Sequence, residues 1–194
     1  MKSPFKSNKV RVTSPFGERV MNGAKQFHAG IDVVGIDSVQ VCAVVAGKVV
    51  VSQIITDKSN PTWEWGNYIC ILGNDNRYYY YCHLASRNAV VGQYVVEGQI
   101  LGIMGNTGYS FGAHLHLEIR ENDGTTLVNP ADMLGIKNEV GVYEERKLES
   151  DLNILVKHGV INTPEYWITN APKMKYLPEL IGNMARYLEN EDNS

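Results

Sequence analysis

The chain has 194 residues, of which 44% are hydrophobic and 20% are charged, and its formal net charge is −3. This length fits one domain with an appendage or two small domains, and the composition allows a normal hydrophobic core. Because no basic stripe stands out, nothing favours a nucleic-acid partner, whereas peptides and neutral polymers are compatible with the slightly acidic balance.

The N-terminus and the distribution of apolar residues bear on where the protein is made. Residues 1–9 contain charge but no apolar segment of the kind that a signal peptide has. No apolar stretch approaches the ~20 residues that a membrane helix needs. We therefore expect a protein that is made in the cytoplasm without a signal peptide and without membrane insertion.

The stretch from residue 10 to residue 135 has the pattern of β structure. Short runs rich in β-branched residues and tyrosine are separated by glycine or asparagine, and no helical period persists. The clearest predicted strands are 39–45, 47–55, 68–72, 78–83, 99–104 and 114–120. The segments 46–48 and 73–76 resemble hairpin turns, and the polar loop 56–66 is a candidate rim or lid.

The composition changes after about residue 137, which divides the chain into 1–136, 137–149 and 150–194. The charged middle segment is predicted to be a linker or an exposed helix. The last segment has helical patterns, with Pro164 at a second helix start and a third helix over 177–188. The apolar face predicted for that third helix consists of Leu180, Ile181, Met184 and Leu188.

Three cysteines, Cys42, Cys70 and Cys82, lie in apolar strand-like runs. An odd number without paired spacing argues against a disulfide framework, so we interpret them as small buried hydrophobic residues. Cys82 precedes His83, which raises the alternative of a thiolate nucleophile. Because neighbouring side chains on a strand point to opposite faces, the pattern disfavours that alternative.

Four of the five histidines fall in three short patterns next to glycine-rich turns or short apolar strands. His28 and Asp32 are four residues apart, and a turn at the intervening glycine can bring both onto one metal ion. His114 and His116 are two residues apart on a predicted strand, so their rings share a face about 6–7 Å apart. His28, Asp32 and one of the strand histidines supply three ligands and leave a fourth position for water, as in a catalytic zinc site.

The other imidazoles near such a site can take the proton of the water and stabilise a developing oxyanion. The competing interpretation is that these are ordinary core or surface histidines, which are more common than ligands.

Several motifs in this order and spacing carry a resemblance to a known family. They are Thr-Ser-Pro-Phe-Gly-Glu-Arg at 13–19, His-Ala-Gly-Ile-Asp at 28–32, Tyr-Tyr-Cys-His-Leu at 80–84, the run 91–118 and Asn-Pro at 129–130. Over about residues 10–135 the chain resembles the lysostaphin/LytM-type zinc metallopeptidases. The resemblance implies an all-β, largely antiparallel catalytic core with a groove over the zinc, followed here by a small α-helical tail.

The resemblance also implies roles for individual residues. His28, Asp32 and His116 would hold the zinc ion, and His83 and His114 would form the catalytic pair near it. One member of the pair helps to activate water and the other helps to hold the tetrahedral intermediate, in an order that the motif leaves open.

The leading hypothesis is a zinc-dependent endopeptidase that hydrolyses peptide bonds in peptidoglycan stems or cross-links through a metal-activated water. The alternative is a non-hydrolytic cell-wall-binding or phage structural protein that uses the same groove. We expect a phage or prophage lysin that acts on the cell wall after release or tail delivery. The segment 159–167 resembles, more loosely, a helical segment of some phage and prophage proteins of Gram-positive bacteria. Wall attachment, assembly and a simple cap remain open as roles of the tail, and the oligomeric state is also open.

Overall fold

The structure is a computed structural model that describes residues 3–7, 9–21, 23–144, 148–173 and 177–192. The chain divides into two compact units, Met1–Glu145 and Arg146–Ser194. We call the first the β unit and the second the helical unit, after the elements that each contains.

The largest sheet of the β unit has nine strands within the described residues. Its strands are β1 (Lys9–Ser14), β4 (Gly30–Gly35), β6 (Gly47–Ile54), β7 (Asn67–Gly73), β8 (Tyr78–Cys82), β10 (Tyr94–Val95), β12 (Leu115–Arg120), β13 (Leu127–Val128) and β14 (Gly141–Glu144). They are arranged in the order β10-β6-β7-β8-β12-β4-β1-β14, and β13 pairs with β12. The pairings are antiparallel, which confirms the predicted fold class.

Two smaller antiparallel sheets complete the described strands of the β unit. One contains β5 (Gln40–Cys42), β9 (Leu84–Arg87) and β11 (Ile100–Met104), and the other contains β2 (Gly17–Met21) and β3 (Ala24–His28). The predicted turn at 73–76 joins β7 to β8. The predicted hairpin at 46–48 is wrong, because β5 and β6 lie in different sheets.

Strand β12 shows how the main sheet separates its two faces. Its odd-numbered side chains are fully buried in the main hydrophobic core: Leu115, Leu117 and Ile119. Its even-numbered side chains lie on the opposite face: His116, Glu118 and Arg120. That opposite face also carries a smaller cluster around Tyr68, Cys70 and Cys82, against which Trp65 and Tyr80 pack. The strand register therefore places a row of polar groups beside an aromatic cluster.

The segment after the core is more ordered than its composition predicts. Helix α1 (Pro130–Leu134) begins at the Asn-Pro pair, and the side chain of Asn129 accepts a hydrogen bond from the Ala131 amide. Beyond it, β14 pairs with β1 at the edge of the main sheet. The prediction of a linker or exposed helix over 137–149 is therefore wrong for residues 141–144, since an exposed edge strand tolerates charged neighbours that resemble a linker. Residues 145–147 lie outside the described residues.

The helical unit has a small apolar core of its own. Its helices are α2 (Leu148–Lys157), α3 (Pro164–Asn170) and α4 (Leu177–Asp192). Among the residues of this unit that the structure describes, the buried apolar side chains are Leu152, Leu155, Ala171, Ile181 and Ala185. The structure corrects the predicted apolar face of α4, because Leu180 and Met184 are exposed while Ala185 is buried. Within the described ranges, we find no helix with the length and apolar character needed to cross a bilayer.

Candidate active site

The three predicted metal ligands come from adjacent segments of the β unit. His28 is the last residue of β3, Asp32 lies in β4 and His116 lies in β12. Because Asp32 is paired directly opposite His116, the sheet register places their side chains next to each other. The chain bends at Ala29, between β3 and β4, and this brings His28 to the same place.

The candidate ligand atoms form a small triangle. His28 Nε2 lies 3.1 Å from Asp32 Oδ1 and 3.1 Å from His116 Nδ1, and His116 Nδ1 lies 2.9 Å from Asp32 Oδ1. In a tetrahedral site with zinc bonds of about 2.0–2.1 Å, neighbouring ligand atoms are about 3.3 Å apart. Two imidazole nitrogens and a carboxylate oxygen are donors that zinc takes, so the triangle fits a zinc ion with one further ligand position.

The electrostatics of the triangle favour positive charge at its centre. Burial would raise the pKa of Asp32, but hydrogen bonds with His114, His116 and His28 outweigh it and lower that pKa far below its usual range. Burial likewise would lower the pKa of His116, but Asp32 and Glu118 outweigh it and raise that pKa to about 9. The surroundings therefore suit a cation between these side chains.

Two further contacts orient the ligand side chains from outside the triangle. The backbone carbonyl of Pro15 lies 2.8 Å from His28 Nδ1. Since a carbonyl can only accept, Nδ1 carries the proton and Nε2 presents its lone pair to the triangle. Arg19 Nη1 lies 3.6 Å from Asp32 Oδ2 and donates to Ser14 Oγ at 2.6 Å. This leaves Oδ1 as the carboxylate oxygen of the triangle.

Gly30 makes room for the ring of His116. A Cβ at this position would lie 2.4 Å from the carbonyl oxygen of Leu117 and 2.8 Å from His116 Cε1 and Nε2. Real side chains do not approach so closely, so any larger residue would displace the ring or the strand. The glycine between His28 and Asp32 therefore acts through the close approach of two strands.

His83 is held beside the triangle by backbone contacts. It follows the last residue of β8 and has a φ of 62°, a left-handed conformation that is uncommon outside glycine and occurs at functional sites. Its amide donates to the carbonyl of Trp65, and its Nδ1 lies 2.8 Å from the carbonyl of Thr107. Burial and the neighbouring His116 and His114 lower the pKa of His83 to about 4. The ring is therefore neutral, with its lone pair on Nε2.

His114 lies next to His83 and close to the triangle. The two ring centroids are 4.7 Å apart, and His114 Nε2 lies 3.5 Å from Asp32 Oδ1. His114 Nδ1 lies 2.7 Å from the carbonyl of Gly112, so this ring also carries its proton on Nδ1. The structure thus brings all five predicted site residues into one cluster.

The sequence profile described as peptidase family M23 matches residues 26–130, which is more than half of the chain and contains all five site residues. The chain belongs to peptidase family M23. Peptidases of this family are zinc-dependent, in agreement with the donor set of the triangle.

Individual M23 relatives agree with this assignment. Lysostaphin from Staphylococcus simulans is 36% identical over 92 residues, which cover 47% of this chain and 17% of lysostaphin. Peptidoglycan DD-endopeptidase ShyC from Vibrio cholerae is 33% identical over 115 residues, which cover 58% of this chain and 25% of ShyC. The chain therefore matches a quarter or less of the length of either protein.

The fold of the chain is also similar to that of a solved structure. The crystallised catalytic domain of lysostaphin from Staphylococcus simulans aligns with a TM-score of 0.55 and 31% identity, covering 64% of this chain and 92% of that domain.

Cys82 lies outside this cluster of five residues, which we call the M23 site. The side chain of Cys82 is fully buried in the cluster with Tyr68 and Cys70, whereas His83 contacts the other site histidines. Burial raises the pKa of Cys82 well above its usual value, so the thiol stays protonated. Strand alternation does not separate the two neighbours, because His83 has a φ of 62° and Cys82 pairs with His116 on the face of the sheet that carries the site. The thiolate alternative is instead disfavoured by the complete burial of the thiol and by its raised pKa.

Two loops pack together beside the M23 site. In the loop 55–66, the carbonyl of Glu64 accepts a hydrogen bond from the amide of Tyr109 at 2.9 Å. The ring of Tyr109 makes edge contacts with Trp63 at 5.9 Å and with Phe111 at 5.1 Å. Tyr109 and Phe111 belong to the loop whose carbonyls hold His83 and His114. This position supports the interpretation of 56–66 as a rim of the site.

Several contacts of the M23 site escaped the sequence reasoning. The carbonyls of Pro15, Thr107 and Gly112 have no side-chain signature, so no pattern identifies them. Glu118 and Arg120 could have been found, because strand alternation continues the row of His114 and His116 on one face.

Proposed function

We propose that this chain is a zinc-dependent endopeptidase that hydrolyses peptide bonds in the stems or cross-links of bacterial peptidoglycan. The observation that carries the proposal is the triangle of His28 Nε2, Asp32 Oδ1 and His116 Nδ1, with edges of 2.9–3.1 Å and two further imidazoles beside it. A closed structural site has no use for such neighbouring imidazoles, whereas a hydrolytic site does.

In this proposal His28, Asp32 and His116 hold the ion. When bound, zinc supplies Lewis acidity, which polarises a carbonyl group and makes water nucleophilic near neutral pH. The protein residues fix the position of that charge. Asp32 is oriented by Arg19 through its second oxygen, and His28 is oriented by the carbonyl of Pro15.

His83 and His114 act on protons in this proposal. Each ring has its Nδ1 proton bonded to a backbone carbonyl, so each can take or give a proton only at Nε2. One ring, when neutral, accepts the proton of the attacking water at Nε2. The other ring, when doubly protonated, donates from Nε2 to the developing oxyanion or to the leaving amine. The fixed carbonyls prevent both rings from changing tautomer during the reaction.

The names of the relatives support peptidoglycan as the substrate. ShyC is named as a peptidoglycan DD-endopeptidase, and lysostaphin is described as an antimicrobial peptidase. The proposal transfers the peptidoglycan substrate class to this chain but leaves the bond open. We further propose that the protein acts on the cell wall after release from the cytoplasm, as a phage or prophage lysin would. The helical unit would serve wall attachment, assembly or capping.

Purified peptidoglycan provides the direct test. The full chain should solubilise sacculi, lose this activity after treatment with a chelator and recover it on addition of zinc. The His83→Ala variant is the matched control, since it removes a proton carrier without removing a predicted ligand. Tight binding to sacculi without solubilisation, on walls from several genera, would instead favour the non-hydrolytic alternative.

Defined substrates then identify the bond. Mass spectrometry of products from a pentaglycine peptide, a direct cross-linked dimer and an uncross-linked stem peptide should show cleavage of one class. Cleavage of unrelated peptides at equal rates would contradict peptidoglycan specificity and leave a general metallopeptidase.

A further inference from the structure

The four site histidines differ in what holds the nitrogen that faces away from the site. In His28, His83 and His114 that nitrogen is Nδ1, and a backbone carbonyl accepts its proton at 2.7–2.8 Å. His116 is reversed: its Nδ1 belongs to the triangle and its Nε2 points away. The group that faces this Nε2 is a carboxylate oxygen, Oε2 of Glu118, at 3.6 Å.

Glu118 is a buried charge that the proposed reaction does not use. Its residue surface is 2% exposed, and it lies two residues after His116 on the same face of β12. A buried carboxylate is unfavourable unless charged partners compensate for the lost water. Its two ion-pair partners among the described residues are His116 and Arg120.

Arg120 is itself fixed in place. Its guanidinium donates to the carbonyl of Gly124 at 2.9 Å and lies over the rings of Tyr80 and Trp65, at 5.3 and 5.6 Å from their centroids. An arginine with these contacts cannot follow Glu118 if the carboxylate turns away. The carboxylate therefore has one oxygen bound to Arg120 and the other directed at His116 Nε2.

We propose that Glu118 is a positioning residue that keeps the Nε2 proton of His116 in place and thereby presents Nδ1 of that ring to the metal. The inference rests on the proposed function, because it assigns Glu118 a role toward the same zinc ion.

The physical argument concerns the choice between two ring nitrogens. A neutral imidazole has one proton, and the metal takes the nitrogen that lacks it. Glu118 Oε2 lies 3.6 Å from Nε2 of His116, an ion-pair distance, and a negative charge that can accept but not donate a proton favours the proton on that nitrogen. It also makes Nδ1 more basic and limits rotation of the ring. Outer carboxylates of this kind typically contribute about 10–100-fold to metal affinity.

Two substitutions at Glu118 and one control test this role in the full chain. Glu118→Gln keeps the shape and an oxygen acceptor but removes the charge, and Glu118→Leu removes both. Glu121→Gln makes the same chemical change one residue beyond β12, where Glu121 pairs with Arg77 at 3.1 Å and not with the site.

Zinc affinity is measured by competition with a chromophoric chelator, and the Nε2 proton of His116 is observed by proton–nitrogen NMR of the zinc-loaded protein. We expect about 10–100-fold weaker zinc binding in Glu118→Leu and a smaller loss in Glu118→Gln. The Nε2 proton signal should shift upfield in Glu118→Gln and be lost to exchange in Glu118→Leu. The visible spectrum of the cobalt-substituted protein should change in both variants and stay unchanged in Glu121→Gln.

The readouts separate a positioning role from a general loss of stability. A lower melting temperature of the metal-free protein, with unchanged zinc affinity and an unchanged Nε2 signal, would overturn the inference. Should Glu118→Leu fail to fold, an unshifted Nε2 signal in Glu118→Gln overturns it by itself. If the parent chain binds no zinc, the proposed function fails together with the inference. If it binds zinc and hydrolyses peptidoglycan whatever residue occupies position 118, only the inference fails.

Discussion

The two units of the molecule bury different kinds of side chain. In the described part of the β unit, the buried polar residues are His28, Asn67, His83, His116 and Glu118. In the described part of the helical unit, the core consists of aliphatic side chains and Asp151 is the buried polar residue. The β unit thus accepts the unfavourable burial of several charged or titratable groups, and the helical unit accepts little of it.

This difference has a structural cause in how a sheet and a small helical bundle place buried polar groups. An antiparallel sheet places residues i, i+2 and i+4 on one face and fixes which residue of the next strand faces them. His116 on β12 faces Asp32 on β4 and has Glu118 two residues further along the same face, so this imidazole can pair with both carboxylates while buried. A short helical bundle has a small hydrophobic core, so its free energy of unfolding is too small to offset the burial of several such groups. If this comparison is correct, damage to the site and damage to the helical unit should have separable consequences.

Removal of a ligand should have the largest effect. In His116→Ala the triangle loses Nδ1, and Asp32 and His28 alone hold zinc weakly, so bound zinc and hydrolysis should both fall below detection. Metal content of the dialysed protein and release of soluble muropeptides from sacculi measure the two losses. Retention of one equivalent of zinc in this variant would show that His116 is not a ligand.

His114→Ala should separate catalysis from metal binding. Its Nε2 lies 3.5 Å from Asp32 Oδ1, outside the triangle, so the variant should keep most of its zinc. Loss of one proton carrier should lower kcat by about 10²–10⁴-fold. If His114→Ala and His116→Ala lose zinc equally, the roles within this strand pair are misassigned.

Damage to the helical core should reduce stability there without affecting catalysis. Leu155 is buried in the helical unit, so Leu155→Ala should destabilise that unit by about 2–5 kcal/mol. Hydrogen exchange measured by mass spectrometry should show faster exchange in α2 and α4 and unchanged exchange in β4 and β12. The neighbouring Val156→Ala is the control, because Val156 is 38% exposed and should produce a much smaller change.

Deletion of residues 146–194 is the stronger version of that experiment. Each unit has its own hydrophobic cluster among the described residues, so the β unit should keep its fold. We expect kcat/KM on a small soluble peptide to stay within about two-fold of the full chain, a change of less than 0.5 kcal/mol in activation free energy. Collapse of the β unit on truncation would contradict the separation of the two units.

The sequence predicted the elements and residues that depend on local periodicity. The strands around His114 and His116 and the helix start at Pro164 follow from spacing. The set of five site residues was implied by the family resemblance. The edge strand β14 could not be predicted in this way, because its pairing with β1 across more than a hundred residues has no local signal. The reversed ring of His116 was equally hidden, since both ring nitrogens look the same in a sequence, and only a contact such as that with Glu118 distinguishes them.

Substitution of Cys82 should have the smallest effect on hydrolysis among these site variants, although Cys82 is the immediate neighbour of His83. Its thiol is fully buried and the burial raises its pKa, so it has neither access to substrate nor thiolate character. Cys82→Ala should leave kcat unchanged and destabilise the β unit by about 1 kcal/mol, as is typical of point substitutions. A thiol reagent should label none of the native cysteines until denaturant is added, since Cys42 and Cys70 are buried as well. Rapid labelling of native Cys82 with loss of hydrolysis would support the thiolate alternative, because it would show that the cluster around Cys82 opens to solvent.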